Sequence, residues 1–410
     1  MKKILYTMVI LPLFFLLLIT NILCSPKQKE LARIESKYII NLDEKNENNS
    51  PLSNYFKSPK TIIIETKKEC LIGNIHKLQV FDEHIFILDR RHAKSLLVFD
   101  LDGRFIRKIG GVGSGPGEYI QLSDFTLDTE NRFIFLFDNM SGRVIKYRFD
   151  GTYVRTVTLK VERTTILSFH YYNNRFYINT LPFKSSQNDF ALMEIDVEKG
   201  SILSKSLPFK YNKGWTEPII MGKSFVSSLN TSPLYTQMFM DYIVSIEEEI
   251  TPYIEIVSKN LVTTKDIVNI TNVVHNDIRA LTGRFREYFR ESSKIFNIHS
   301  FVENNKFIFF SYNQGMKNIN SIVINKNTGS VDFIGDYGKD LIFKNEENRF
   351  FTGFEFFDKG GAFEILHSFS IESFQESIRN NEVIPDLDKA NELLKLDAEA
   401  NPVIFYYEFK

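Results

Sequence analysis

The sequence predicts an all-β chain folded as a six-bladed β-propeller, with an N-terminal strand closing the last blade and two helical insertions. An internal repeat carries most of that prediction. "HIFILDRRHAKSLLVFDLDGRFIRKIG" (84–110) aligns on "FIFLFDNMSGRVIKYRFDGTYVRTVTL" (133–159), placing Asp89 over Asp138 and Asp102-Gly103 over Asp150-Gly151, offsets of 49 and 48 residues. A period of ~40–50 residues, with four short strands per unit and an Asp-Gly hairpin before the last, is the pattern of a propeller blade. Composition agrees: the chain carries 38 Phe and 18 Tyr, and aromatic side chains fit a pleated, half-buried surface.

The elements follow in chain order. "MKKILYTMVILPLFFLLLITNILCS" has two lysines, an apolar run and a short polar break before Cys24, the anatomy of a bacterial export signal. Residues 1–23 are therefore read as a lipoprotein-type signal, with Cys24 as the lipidated first residue of the mature chain. The alternative is an uncleaved N-terminal helix, since Ile4 to Leu23 is long enough to span a bilayer. Either way the bulk of the chain is exported and held on a membrane, at the periplasmic or outer-membrane side of the cell envelope. Residues 24–58 read as a tether, and 59–410 as the propeller. Cys24 and Cys70 are the only cysteines, so a lipid on Cys24 leaves no intrachain disulfide and stability must come from packing. Cys70 reads as a small buried apolar residue.

In the first two blades the Asp-Gly pairs 102–103 and 150–151 are structural turns supplying positive φ, and Asp89 and Asp138 are loop caps. Between these blades lies "KIGGVGSGPGEYIQLSDF" (108–125), which resembles a phosphate cradle until its spacing is counted. From Gly111 the sixth place of a dinucleotide fingerprint is Pro116, and from Gly113 it is Glu118. A Walker loop would need Gly-Lys-Ser/Thr where Gly117, Glu118 and Tyr119 stand, and a carboxylate there repels phosphate. The stretch is instead a joint between repeating units, with Gly115 and Gly117 at its turns.

Later blades are degenerate. "ILSFHYYNNRFYINTLPF" with "FALMEIDVEKGSILSKSL" gives a third, residues 224–258 a fourth and 298–335 a fifth. The sixth has three strands, "FFTGFEFF", "AFEILHSFSI" and the terminal "PVIFYYEF", and "TIIIETK" (61–67) supplies its fourth, leaving no seam between the chain ends. Residues 260–294 and 372–400 read as helical insertions.

The stretch "IHKLQVFDEHIFILDRRHAKSLLVFDLDGRFIRKIGGVGSGPGEYIQLSDF" and the terminal "NPVIFYYEFK" resemble the six-bladed β-propeller lipoproteins of Bacteroidetes, related to NHL-repeat propellers. The likeness covers about Thr61 to Lys410, strongly to residue 160. It implies an exported protein and assigns no activity.

Function is constrained more than it is specified. Lys+Arg number 50 and Asp+Glu 51, so no global field attracts nucleic acid or acidic lipid. In a four-stranded blade, the loop between strands two and three and the link to the next blade share one face, here called the top. That face collects Arg90 and Arg91, the glycine link with Glu118 and Tyr119, the link 210–223 with the only tryptophan, Trp215, and both insertions. Elaborated loops on a rigid scaffold are where binding resides, so Arg90, Arg91, Glu118, Tyr119 and Trp215 are the ligand-binding candidates. The expectation is a non-catalytic, membrane-tethered propeller that binds an envelope glycan, a peptide or an envelope protein, with no cofactor and no metal. One alternative is a metal-dependent hydrolase or lyase using His76, Asp124, His170, His299 and Glu355 from the innermost strands around the central channel. Another is a structural subunit of a cell-envelope complex, docked through the insertions.

Overall fold

The computed structural model describes residues 26–44, 50–161, 166–181, 189–217, 219, 225, 232–272, 277–334, 339–344, 350, 353–357 and 361–410. Residues 1–23, read from sequence as a signal, and Cys24 lie outside them. Six sheets form the blades. Blade 1 is Lys77–Phe81, His84–Asp89, Ser95–Asp100 and Phe105–Ile109, and blade 2 is Leu122–Asp128, Phe133–Asp138, Arg143–Arg148 and Tyr153–Thr158, all antiparallel. Blade 3 begins at Ile166–Tyr172 and blade 5 at Ile295–Glu303, each with four strands of its own. Blade 6 comprises Phe356–Phe357, Gly361–Leu366, Val403–Glu408 and, antiparallel to that last strand, Lys60–Ile63. The expected closure by the N-terminal strand is thus the one observed.

The apolar runs are continuous because each blade is buried on both faces. In His84–Asp89, Ile85 and Ile87 pack with Phe356, Phe363 and Ile365 of blade 6, while Phe86 and Leu88 pack with Leu122, Phe125 and Ile134 of blade 2. Equivalent layers separate blades 2 and 3, 3 and 4, 4 and 5, and 5 and 6. Six layers therefore close one ring, each strand contributing alternate residues to the layers on either side.

The stretch expected as a tether is built into the ring from Pro26 onward. Lys27–Lys29 adds a fifth, parallel strand to blade 3 beside Ile202–Pro208, and Tyr38–Asn41 is the fourth strand of blade 4, parallel to Ile250–Val257. Ser50 bridges Ile334 of blade 5, and Phe56 bridges Phe409 of blade 6. This belt covers the outer edges of four successive blades, where unpaired N–H and C=O groups would otherwise stand open. Among the described residues blade 4 has three strands of its own, Leu234–Tyr235, Tyr242–Ile246 and Ile250–Val257, and the belt supplies a fourth.

Both helical insertions are present. Thr264–Thr271 and Ile278–Glu291 lie between blades 4 and 5, the first opened by a capping box of Thr263 and Asp266. Ile371–Arg379 and Ala390–Leu393 lie inside blade 6. No helix among the described residues is long and apolar enough to cross a membrane.

The Asp-Gly turns have a second duty beyond reversing the chain. Gly103 (φ +86°) and Gly151 (φ +89°) adopt the left-handed conformation, and the Gly103 carbonyl accepts the Glu65 N–H at 2.8 Å. A Cβ on Gly103 would drive into the Ile63 carbonyl oxygen of blade 6, and one on Gly200 of blade 3 into the Thr158 carbonyl oxygen of blade 2. The outer hairpin of one blade thus rests on the last strand of the blade before it. Gly103→Ala is expected to cost about 2–3 kcal/mol, from left-handed strain plus the displaced contact, measured as a lowered urea midpoint. An unchanged midpoint would remove the turn from the inter-blade joint.

Candidate functional site

The link that opened the functional question is a turn held by its own carboxylate. Gly111–Val112 pairs in parallel with Glu118–Tyr119, and Glu118 Oε2 accepts the Gly115 N–H at 2.7 Å. A Cβ on Gly113 would occupy the space of that carboxylate, and Gly117 sits at φ +79° with its carbonyl accepting the Tyr147 hydroxyl. The Gly115 N–H and the Gly117 carbonyl are thus both engaged within the link and its neighbouring blade.

Asp89 and Asp138 are caps. Asp89 is fully buried and accepts the N–H groups of Gly73 (2.8 Å), Arg91 (2.9 Å), His92 (3.1 Å) and Ala93 (3.2 Å). Asp138 does the same for Ile120, Gln121, Met140 and Ser141. Burial alone would raise both carboxyls, but the N–H groups at Asp89, and at Asp138 the Ser141 hydroxyl together with the N–H groups, outweigh it and hold each below the usual carboxylate range. Each cap ties the loop between strands two and three to the entry of its blade's innermost strand.

Two candidate contacts are not on the surface. Trp215 is 2% exposed, packed among Phe239, Phe285, Phe289 and Phe296, with its indole N–H donated to the Ile219 carbonyl at 3.0 Å. The helix Ile278–Glu291 covers it: Phe285 and Phe289 lie one turn apart and present one face to the indole. Tyr119 is fully buried and donates its hydroxyl to the Lys94 carbonyl at 3.0 Å. Neither offers a platform to a ligand, and Glu118 is committed to its glycine turn.

What the ring does bring together is its channel. A cavity of about 480 Å³ opens where the innermost strands of blades 1 and 6 begin, on the side of the inter-blade links. Its wall includes Ile75, Leu78, Phe225, Phe301 and Phe354 among apolar groups, and His76, Lys77, Gln79, His170, His299 and Glu355 among polar ones. Four of the five channel residues expected from sequence therefore share one space. The fifth, Asp124, is a clasp beneath it. It accepts Lys77 Nζ from blade 1 at 2.8 Å and the Phe169 N–H from blade 3 at 2.9 Å, joining three blades at the axis.

The imidazoles are neutral near pH 7. Burial pushes His170 down to about 3, with the nearby Lys77 cation adding to it, and pushes His299 down to about 4. His76 is also lowered, by burial first and then by the Arg90 charge. His170 stacks on Phe225 with ring centroids 5.4 Å apart, and His299 Nδ1 lies 2.8 Å from Ser300 Oγ. His76 Nδ1 accepts the Arg90 backbone N–H at 3.2 Å, so Arg90 stands beside this wall. Among the described residues no three His, Cys, Asp or Glu side chains are grouped to share a metal ion. Gln79 Oε1, in the wall, is buried without a hydrogen-bond partner. A second cavity of about 260 Å³, lined by Asp128, Glu130, Tyr171 and Tyr172, meets the first at His170.

The family profile described as "Domain of unknown function (DUF4934)" matches residues 37–408. The chain belongs to the DUF4934 family. Its match spans the belt from Tyr38 as well as every blade, and the first belt strand, Lys27–Lys29, precedes it. Among solved structures, a chain of Bacteroides fragilis NCTC 9343 titled "Putative exported protein" is similar, with 20% identity, 91% of this chain and 99% of that chain covered and a TM-score of 0.72. A member of the DUF4221 family from Bacteroides vulgatus ATCC 8482 is similar at 12% identity, 87% and 98% coverage and a TM-score of 0.51. At these identities the likeness is one of fold, and the neighbours of this six-bladed DUF4934 chain are propellers. No curated protein matches it.

Proposed function

We propose that this DUF4934 protein is an exported propeller, held on the cell envelope by a lipid on Cys24, that binds a small glycan or peptide fragment in its axial cavity without transforming it. The observation that carries the reading is the cavity wall itself: apolar and aromatic surface and three neutral imidazoles, backed by the amide oxygen of Gln79, which has no partner inside the wall. Small-ligand sites have this make-up, an apolar lining with a few placed polar groups. An imidazole on an aromatic ring and an unpartnered acceptor suit hydroxyl and amide donors, the groups that glycans and peptides carry. The likeness to a protein titled as exported supports the address.

The test titrates the purified soluble domain with envelope-derived glycan and peptide fragments by calorimetry. Gln79→Leu removes the unpartnered acceptor, and Ile319→Trp, at a half-exposed position on the wall, fills the mouth. Each is expected to weaken binding about tenfold, the loss of one buried hydrogen bond or of contact area, with the unfolding midpoint undiminished. Affinity unaltered in both variants would move the ligand elsewhere.

A further inference from the structure

We infer that the outer edge of blades 3 and 4, where the belt lies, rests against the bilayer surface, so that the ring stands on its rim with the cavity mouth open to the aqueous side. The inference rests on the lipid-tether reading of Cys24 and adds to it the surface that meets the membrane.

Chain length comes first. Lys27 is already paired with Ser204 on the edge of blade 3. It stands three residue steps from Cys24, and a fully extended chain covers about 3.5 Å per residue, so at most ~10 Å lies between the anchor and this edge. A lipid on Cys24 cannot suspend the ring at a distance; it presses one particular rim towards the headgroups.

The surface at that rim is suited to the contact. Ile34 and Ile39 are 59% and 62% exposed, two aliphatic side chains projecting from the belt within fifteen residues of the anchor. Among the described residues Lys27 and Arg33 have no ion-pair partner, whereas Glu30 is neutralised by Lys210 at 2.7 Å and Lys29 is held by Glu194 at 3.0 Å. Lys37 lies over the Tyr253 ring, 5.1 Å from its centroid, beside Tyr38. Aliphatic tips, unpaired cations and tyrosines are the side chains that settle at headgroup level, where one end is apolar and the other wet. The partner is therefore a phospholipid bilayer carrying anionic headgroups.

The test uses the full-length protein, processed in a bacterial host and reconstituted in phosphatidylethanolamine–phosphatidylglycerol vesicles. Single cysteines are placed by Ile34→Cys, Ile39→Cys and, as the remote control, Leu101→Cys on the outer hairpin of blade 1, which is 47% exposed. The native Cys70 is fully buried and shielded from label. With an environment-sensitive fluorophore attached, nitroxide-bearing phospholipid is expected to quench the belt positions at least threefold more than position 101, and aqueous iodide the reverse. Radioactive palmitate is followed in parallel in the wild type and in Cys24→Ala. Palmitate on Cys24 with belt labels that quench like position 101 overturns the edge-on contact and leaves the tether intact. Absence of palmitate from the wild-type chain overturns both.

Discussion

Removing residues 403–410 is expected to unfold the whole ring and not its C-terminal end alone. Val403–Glu408 is hydrogen-bonded on both sides, to Gly361–Leu366 and to Lys60–Ile63. Its side chains divide between two layers: Val403, Phe405 and Tyr407 enter the one between blades 5 and 6, and Ile404 the one between blades 6 and 1. All four are fully buried. Truncating a single such residue costs roughly 2–5 kcal/mol, so their joint loss amounts to about 10 kcal/mol or more, comparable to the whole stability of an ordinary domain. The strand Lys60–Ile63 loses its partner at the same moment, and blades 6 and 1 part. Circular dichroism and calorimetry on the truncated chain should show loss of the cooperative transition. A truncated protein melting within a degree of the intact one would refute the closure.

Raising the pH from 5 to 9 should weaken the fold through one carboxyl. Glu364 is fully buried in the layer between blades 5 and 6, where the Tyr407 hydroxyl donates to its Oε2 at 2.5 Å and Oε1 has no partner. Burial pushes its pKa up to about 8; the Tyr407 bond opposes the shift, and the charge of Glu355, just before the neighbouring strand, adds to it. The folded state therefore holds a proton that the unfolded chain releases near pH 4.5. Stability from the neutral acid is complete below that value and is lost as pH climbs through 8, and a shift of this size corresponds to about 4–5 kcal/mol. Glu364→Gln keeps the shape and removes the ionisation. Urea unfolding at pH 5, 7 and 9 should show the variant overtaking the wild type as pH rises. Parallel wild-type and variant profiles would mean that the carboxyl titrates alike in the folded and unfolded chain and that burial holds no extra proton.

Much of this architecture could be read from residues alone, and the exceptions have physical causes. Blades 1 and 2 were legible because local hairpins with Asp-Gly turns repeat there, and because Asp89 and Asp138 perform the same capping in each. The closing strand was legible because "TIIIETK" is too apolar to be a linker. The belt was not: Lys27–Lys29 is polar, pairs in parallel without a turn, and meets a partner as distant as Glu194, 165 residues on. Nothing local marks such a strand. Trp215 misled because an aromatic residue in a link reads alike whether it faces solvent or a helix inserted sixty residues later. The channel residues were named but could not be aimed, since irregularities between Ile166 and Ser168 and again between Ile295 and Asn297 precede His170 and His299, and each slip reverses the faces. Gln79 and Phe225 went unnoticed, having no chemical signature outside the space they enclose.

The belt also dictates an order of events. Residues 26–44 precede their partners on blades 3 and 4 by some 165 to 220 residues, and the partner of Lys60–Ile63 is Val403–Glu408, the last strand among the described residues. Contacts of such sequence separation form slowly, because the loop must be closed before any bond rewards it. Through that interval the growing blades expose bare edges that can pair with another chain, and the N-terminal segment stays unpaired. The protein is thus latched in reverse, its first residues being among the last to find their place, and the whole must be delivered before any part is secure.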